Sequence, residues 1–183
     1  MLSADTIERR AWDLLLKAKV KRPKVDVIAL ARLLGAQIKE VQAVDEISGA
    51  IIREGDRINI GVNADHSENR QRFTVAHEIG HLVLHDAEAQ IDHGYSQRVH
   101  SGPRVTAFRD TTSSAAIDDK EIEANRYAAA LLMPVPFLKN SLKARHQPLR
   151  ETDISALAKE YGVSAQAMNF RLINVGIAID VAG

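Results

Sequence analysis

The sequence predicts an α+β domain with a small antiparallel sheet, two helices that carry a metal site, and a C-terminal helix-turn-helix-like segment. Three observations predict this architecture. Apolar and polar residues alternate over Arg57–Val62, which is typical of a half-buried strand. Residues 73–86 read FTVAHEIGHLVLHD and contain two histidines at helical spacing. Residues 154–176 read as two capped helices that are joined at Gly162.

The composition excludes several classes of protein. Lys+Arg and Asp+Glu both number 24 in 183 residues, so a general nucleic-acid or membrane-surface binder is not expected. The chain contains no cysteine, which excludes disulfides, thiolate zinc sites and cysteine nucleophiles. The first twenty residues are too charged for a signal peptide, and no apolar run approaches the ~18 residues of a membrane span. We therefore expect a soluble, cytoplasmic protein.

The N-terminal third predicts two helices and three strands. An amphipathic helix spans Thr6–Lys19 with Ser3 or Asp5 as its cap, and a shorter helix is capped by Asp26 and closed by Gly35. Each strand is short and rich in β-branched residues. The predicted strands are 36–41, 48–53 and 57–62, with Glu54-Gly55-Asp56 as a hairpin loop between the last two.

The remainder of the chain predicts mainly helices. A long helix begins at Asp65 or Ser67 and ends near His85, and a second strong helix begins at Asp118 or Asp119. The stretch between them is irregular. Further predicted elements are a strand at 105–109, a short helix at 137–143, the helix pair at 154–176 and a strand at 177–181. The predicted domain division is residues 1–145 with the N-terminal helices, and 146–183 as the segment packed on them.

His77-Glu78-Ile79-Gly80-His81 matches the H-E-x-x-H pattern. Two histidines four residues apart lie on one helix face, where both imidazoles can reach one zinc ion and Glu78 can face its water. Gly80 costs about 1 kcal/mol relative to alanine in a helix, and close approach of another backbone or a substrate would explain it. A buried amphipathic helix that carries two histidines by chance is the alternative.

Zinc needs a third protein ligand. His85 is excluded, because it lies ~12 Å from His77 along a straight helix. The third histidine of the metzincin pattern is also absent, since Leu84 and Ala87 occupy the positions it requires. The second strong helix offers Glu121 and Glu123, which point to nearly opposite faces. The small, apolar face of Glu121 favours it, whereas Glu123 shares its face with Arg126 and Tyr127, which predicts a solvated ion pair.

The strings RFTVAHEIGHLVLH and EIEANRYAAALLMP, in this order, resemble the ImmA/IrrE family of metallopeptidase-like proteins. The resemblance extends from about Val25 to Leu172. It implies a zincin-like metallopeptidase fold, with zinc as the cofactor and manganese as an alternative. It also implies His77, His81 and Glu121 as metal ligands and Glu78 as the catalytic residue.

Five residues are candidates for supporting the metal ligands or for stabilising an oxyanion. Asn125 occupies the position where thermolysin-like enzymes carry an aspartate that orients a zinc-bound histidine, and a neutral amide has less effect on ligand basicity. The other four candidates are Tyr127, His85, His93 and His100.

The resemblance implies zinc-dependent cleavage of a specific partner protein, a helix-turn-helix transcriptional repressor of phage, mobile-element or stress-response regulation. It also implies a link to toxin–antitoxin pairs. Two alternatives remain open. The first is a regulatory or antitoxin-type binding protein that retains zinc without cutting, which an intact Glu78 disfavours. The second is a DNA-binding regulator that uses residues 154–176, although direct DNA binding is not expected from a neutral chain. The sequence favours no oligomeric state.

Overall fold

A computed structural model describes residues 1–42, 48–54, 57–85, 104–105, 119–143 and 145–179. The elements fall into an N-terminal helix pair, a small sheet and a C-terminal group of helices. The helices of the described part are α1 Ala4–Lys17, α2 Val27–Leu33, α3 Glu68–Leu84, α4 Asp119–Leu132, α5 Val135–Leu142, α6 Glu151–Tyr161 and α7 Ala165–Asn174. The strands are β1 Ala36–Val41, β2 Gly49–Glu54, β3 Arg57–Asn63 and β4 Arg104–Val105.

The sheet is mixed rather than antiparallel. Its strand order is β1-β3-β2-β4, with β1 parallel to β3 and with β2 antiparallel to both β3 and β4. The prediction of an antiparallel sheet is therefore wrong for the β1–β3 pair. The chain reverses direction twice between β1 and β3, so these strands run the same way. They become neighbours because β3 lies between β1 and β2.

Helix ends follow the capping residues. Ser3 accepts a hydrogen bond from the Thr6 N–H and begins α1, and Asp26 accepts one from Ala29 and begins α2. Ser164 caps α7 in the same way, and Gly162 ends α6 with a φ of 66°. Two helices joined at Gly162 are present, over Glu151–Tyr161 and Ala165–Asn174, and their assignment as a helix-turn-helix-like segment stays a prediction. α1 ends at Lys17, two residues earlier than predicted.

Several predicted elements lie partly outside the described residues. The hairpin residues 55–56, most of the stretch 86–118 and the end of the predicted strand 177–181 cannot be compared. Within the described part, Ile179 forms an isolated parallel bridge with Leu149. Residues 104–105 form the two-residue strand β4, and residues 106–109 of that prediction lie outside the description.

One hydrophobic cluster joins the elements. It includes Ile60 of β3, Ile79 of α3, Leu131 of α4, Leu157 of α6 and Leu172 of α7, each fully buried. The C-terminal helix pair therefore packs in the same core as α3 and α4. Trp12 and Phe137 pack edge to face, with ring centroids 5.5 Å apart, as expected of a packing tryptophan. No helix in the described ranges has the length and apolar character needed to cross a membrane.

Candidate metal centre

Helix α3 holds two histidine side chains side by side. The His77 and His81 Nε2 atoms are 3.0 Å apart, and the ring centroids are 4.7 Å apart. His81 is fully buried, and the His77 side chain is 12% exposed. Both rings therefore direct the same nitrogen toward one point at the edge of the core, as the spacing of four residues predicts.

Glu121, in the first turn of α4, completes a group of three ligand atoms. Its Oε2 lies 3.3 Å from the His77 Nε2, and its Oε1 lies 3.5 Å from the His81 Nε2. Candidate ligand atoms of the three residues all lie within 4.8 Å of one another. In a tetrahedral zinc site with bonds of about 2.0–2.1 Å, neighbouring ligand atoms are about 3.3 Å apart. The two nitrogens and one carboxylate thus fit zinc in chemistry and in spacing.

The opposite nitrogen of His77 is held by Asn125. The His77 Nδ1 lies 2.9 Å from the Asn125 Oδ1. An amide oxygen can only accept, so His77 donates from Nδ1, and in this tautomer the Nε2 lone pair faces the His81 and Glu121 side chains. Asn125 is therefore a neutral hydrogen-bond partner of His77, and its role in supporting a metal ligand stays a prediction.

Glu78 occupies a buried position beside the start of β2. Glu78 is 4% exposed, whereas the side chain of the neighbouring His77 is 12% exposed. A Cβ added to Gly49 would lie 3.7 Å from the Glu78 Oε1 and would collide with the Thr74 methyl group. Only a glycine lets β2 pass this close to α3. The sequence did not indicate a role for Gly49, because that role becomes visible only where β2 packs against α3.

Gly80 allows α3 and α4 to approach closely. A Cβ there would lie 3.2 Å from the Ala124 Cα and 3.3 Å from the Tyr127 Cβ. This contact confirms the predicted close approach of another backbone. It also determines how near Glu121, on α4, comes to the two histidines of α3.

The predicted solvated position of Glu123 is wrong. Glu123 is 5% exposed, accepts a hydrogen bond from the Leu2 N–H, and has its Oε2 3.7 Å from the His85 Nε2. The carboxylate is buried because the start of α1 covers that face of α4. Glu123 therefore belongs to a second polar cluster beside the metal centre, and not to the group of candidate ligands.

The remaining candidates are placed differently. The His85 Nε2 lies 3.2 Å from the Lys120 carbonyl oxygen, and burial lowers the pKa of His85 below its usual range. The His85 Nε2–H donates to that carbonyl. Tyr127 is fully buried in the hydrophobic core, and burial raises the pKa of its hydroxyl. His93 and His100 lie outside the described residues.

Arg72 links α3 to the end of α6, a role that no local sequence signal indicates. Its Nε donates to the Gly162 carbonyl at 3.1 Å, and its Nη2 donates to the Val25 carbonyl at 2.9 Å. The Tyr161 carbonyl lies 3.5 Å from the same Nη2. The C-terminal carbonyls of α6 are thus satisfied by a side chain of α3.

Comparison with known proteins gave a family and a fold. The family model described as "Peptidase_M78: IrrE N-terminal-like domain" matches residues 39–173, which is more than half of the chain. No curated protein matches at a significant level. Among solved structures, one described as "Mycobacterium tuberculosis transcriptional regulator" aligns with a TM-score of 0.61 and 16% identity. The alignment covers 92% of this chain and 46% of that one, so this chain spans about half the length of the regulator.

Proposed function

The chain belongs to the ImmA/IrrE family of metallopeptidase-like proteins, and on this premise we propose that it is a zinc-dependent endopeptidase that cleaves a specific partner protein. The observation that carries the proposal is the group formed by His77, His81 and Glu121, with Glu78 on the same helix as the histidines. Two histidines and one carboxylate are the ligand set of catalytic zinc sites in peptidases, and the glutamate beside the first histidine is their general base.

In this proposal, His77, His81 and Glu121 hold the metal, and Asn125 keeps His77 in the tautomer that binding requires. When bound, zinc supplies Lewis-acid chemistry, which activates water for attack and polarises a carbonyl oxygen. Glu78 accepts the proton of the attacking water at its carboxylate and then passes it to the leaving amine nitrogen. Its buried position keeps bulk water from competing for that proton.

We further propose that the substrate approaches as an extended segment near the start of β2. β4 pairs with β2 at Ile52 and Arg53, whereas Gly49 lies at the other end of β2, beside Glu78. An extended peptide can add to a sheet by main-chain hydrogen bonds, which would place its backbone across the metal centre.

The partner we propose is a helix-turn-helix transcriptional repressor of phage, mobile-element or stress-response regulation, which a cytoplasmic enzyme would meet. Support comes from the family resemblance. The structural neighbour, whose description names a transcriptional regulator, shares the fold at 16% identity. A toxin–antitoxin context remains within this proposal, because such pairs are also controlled by repressors of this kind.

Direct DNA binding by α7 is not favoured. Phe170 and Ile173 are 57% and 56% exposed on its outward face, and its one arginine, Arg171, is 6% exposed. The Arg171 guanidinium is bonded to Glu8, with Nη2 to Oε2 at 2.9 Å. A recognition helix needs polar or cationic side chains toward the bases. The outward face of α7 instead presents apolar surface flanked by amides.

The test combines metal content with cleavage. Wild type, Glu78→Gln and His77→Ala are purified, zinc is quantified, and each is incubated with the product of a neighbouring repressor-like gene. We expect about one zinc per chain in wild type and in Glu78→Gln, and single-site cleavage by wild type alone. Complex formation without cleavage by zinc-loaded wild type would instead identify a regulatory binding protein.

A further inference from the structure

The basic loop, residues 19–24 (KVKRPK), is fixed in position by the residues at its ends. The Val20 N–H donates to a carbonyl of α1 at 3.0 Å, and Val25, the next residue after the loop, is fully buried. The Lys24 Nζ lies 2.5 Å from Glu68 Oε1 at the start of α3. This loop therefore has a defined conformation, unlike a loop that is merely solvated.

The fixed loop presents two neighbouring cations together. Lys21 and Arg22 are exposed, and neither has an ion-pair partner within the part of the chain that the structure describes. Repulsion between these adjacent cations costs free energy, and a bound anion would offset part of that cost.

Lys21 and Arg22 line an open groove of about 250 Å³. The opposite side is formed by Phe137 and Asn140 of α5 and by Glu160 of α6. Phe137 supplies apolar surface. The exposed Asn140 side chain supplies an amide NH2 that donates and an amide oxygen that accepts, so it can hydrogen-bond to a peptide backbone.

The charge of Glu160 is already compensated. Its Oε1 accepts a hydrogen bond from the Ser141 hydroxyl at 2.7 Å, and its Oε2 lies 3.8 Å from the Arg145 Nη2. The two cations of the loop thus dominate the groove. Two cations are few for binding a continuous phosphate backbone, so the groove suits a short anionic segment better.

We propose that this groove binds an acidic segment, with an apolar side chain against Phe137, of the protein that the enzyme cleaves. The inference rests on the proposed function in assigning the segment to the substrate, and the binding itself does not require cleavage. Charge complementarity between Lys21, Arg22 and the acidic segment would position the substrate and distinguish it from other proteins. The groove is separate from the metal ligands, so it adds specificity without touching the reacting atoms.

The probe is a fluorescein-labelled peptide of sequence EEFDEE, with QQFNQQ as its neutral counterpart, titrated with zinc-loaded protein in fluorescence anisotropy. We expect EEFDEE to bind more tightly than QQFNQQ and to weaken as salt rises from about 0.05 to 0.15 M. Lys21→Glu/Arg22→Glu should raise its Kd about tenfold. The control Arg9→Glu/Arg32→Glu makes the same charge change at exposed residues that do not line the groove, and should change the Kd less than about twofold.

An equal effect of both double variants would overturn the proposal, because it would reflect net charge alone. Equal binding of the two peptides, or tighter binding of a 20-base-pair duplex, would overturn it as well. A thermal unfolding midpoint equal to that of the wild type would establish that Lys21→Glu/Arg22→Glu is folded. Repeating the titration with Glu78→Gln separates the groove proposal from the proposed cleavage reaction. If this variant loses cleavage but still binds EEFDEE, the defect lies in the catalytic step and the groove is intact.

Discussion

A Cβ on Gly80 would lie 3.2 Å from both the Cα and the carbonyl oxygen of Ala124. This contact brings the middle of α3, where Gly80 lies between His77 and His81 in the sequence, against the first half of α4. Glu121 lies three residues before Ala124, so the separation of the two helices determines whether its carboxylate reaches the histidines. The geometry of the candidate metal centre therefore depends on a glycine that has no chemical role.

Gly80→Ala should weaken metal binding. Alanine gains about 1 kcal/mol of helix propensity, whereas overpacking costs about 1–3 kcal/mol and moves α4 outward. We expect the zinc Kd to rise about tenfold in a competition titration with a chelator. Gly35→Ala is the control: its φ of 80° makes alanine unfavourable by about 1 kcal/mol, but Gly35 does not contact the site. Unchanged zinc affinity in Gly80→Ala would contradict the role of this contact.

Asn125→Ala should lower zinc affinity about tenfold, because His77 loses the acceptor that fixes its tautomer. Asn125→Asp should bind zinc more tightly than wild type, because a carboxylate partner increases the basicity of the imidazole. Arg126→Ala, at an exposed neighbouring position of α4, serves as the control and should leave the affinity unchanged. Equal affinities of wild type, Asn125→Ala and Asn125→Asp would exclude a positioning role.

Glu121→Gln and Glu123→Gln should have opposite phenotypes. Glu121→Gln removes an anionic ligand, so we expect zinc to be lost on dialysis while the fold is retained. Glu123→Gln leaves the ligand group intact but weakens the buried contacts to Leu2 and His85, which should lower the free energy of unfolding by about 1–3 kcal/mol. Zinc analysis and denaturant unfolding of both variants test this; zinc loss in Glu123→Gln alone would reverse the ligand assignment.

Stability should fall at alkaline pH. Burial raises the pKa of Tyr161 from its ordinary value of 10.0 to about 12. The folded protein thus holds this proton more tightly than the unfolded chain, so the stabilisation is complete below pH 10 and is lost as pH rises toward 12. Tyr161→Phe should lose less stability than wild type over that range in urea unfolding. Parallel curves for the two proteins would exclude Tyr161 as a source of the dependence.

The features predicted well are local. Ser3, Asp26 and Ser164 cap their helices because a side-chain oxygen reaches an N–H two or three residues ahead, and that relation can be read from the sequence. The grouping of His77 and His81 likewise follows from helical periodicity. Such relations do not depend on how distant parts of the chain meet.

The features predicted wrongly are nonlocal. Alternation in a strand does not reveal its neighbour, so the insertion of β3 between β1 and β2 could not be predicted. The neighbours of Glu123 on its own helix suggested exposure, but its burial depends on the start of α1, more than one hundred residues earlier. Gly49 and Arg72 were missed for the same reason, since each acts on an element far away in sequence.

Arg72→Lys should loosen the C-terminal helix pair without emptying the metal centre. The guanidinium donates to carbonyls of Val25 and Gly162 in two directions, which a lysine ammonium at the end of a flexible chain does not reproduce. We expect the free energy of unfolding to fall by about 1–3 kcal/mol. Hydrogen exchange should accelerate in α6 and α7 more than in α3 and α4, and zinc content should match wild type, because Arg72 is separated from His77 by more than one helical turn. Uniform acceleration across all four helices would mean that the helix pair and the metal-binding helices unfold as one unit, and that Arg72 is not a local link between them.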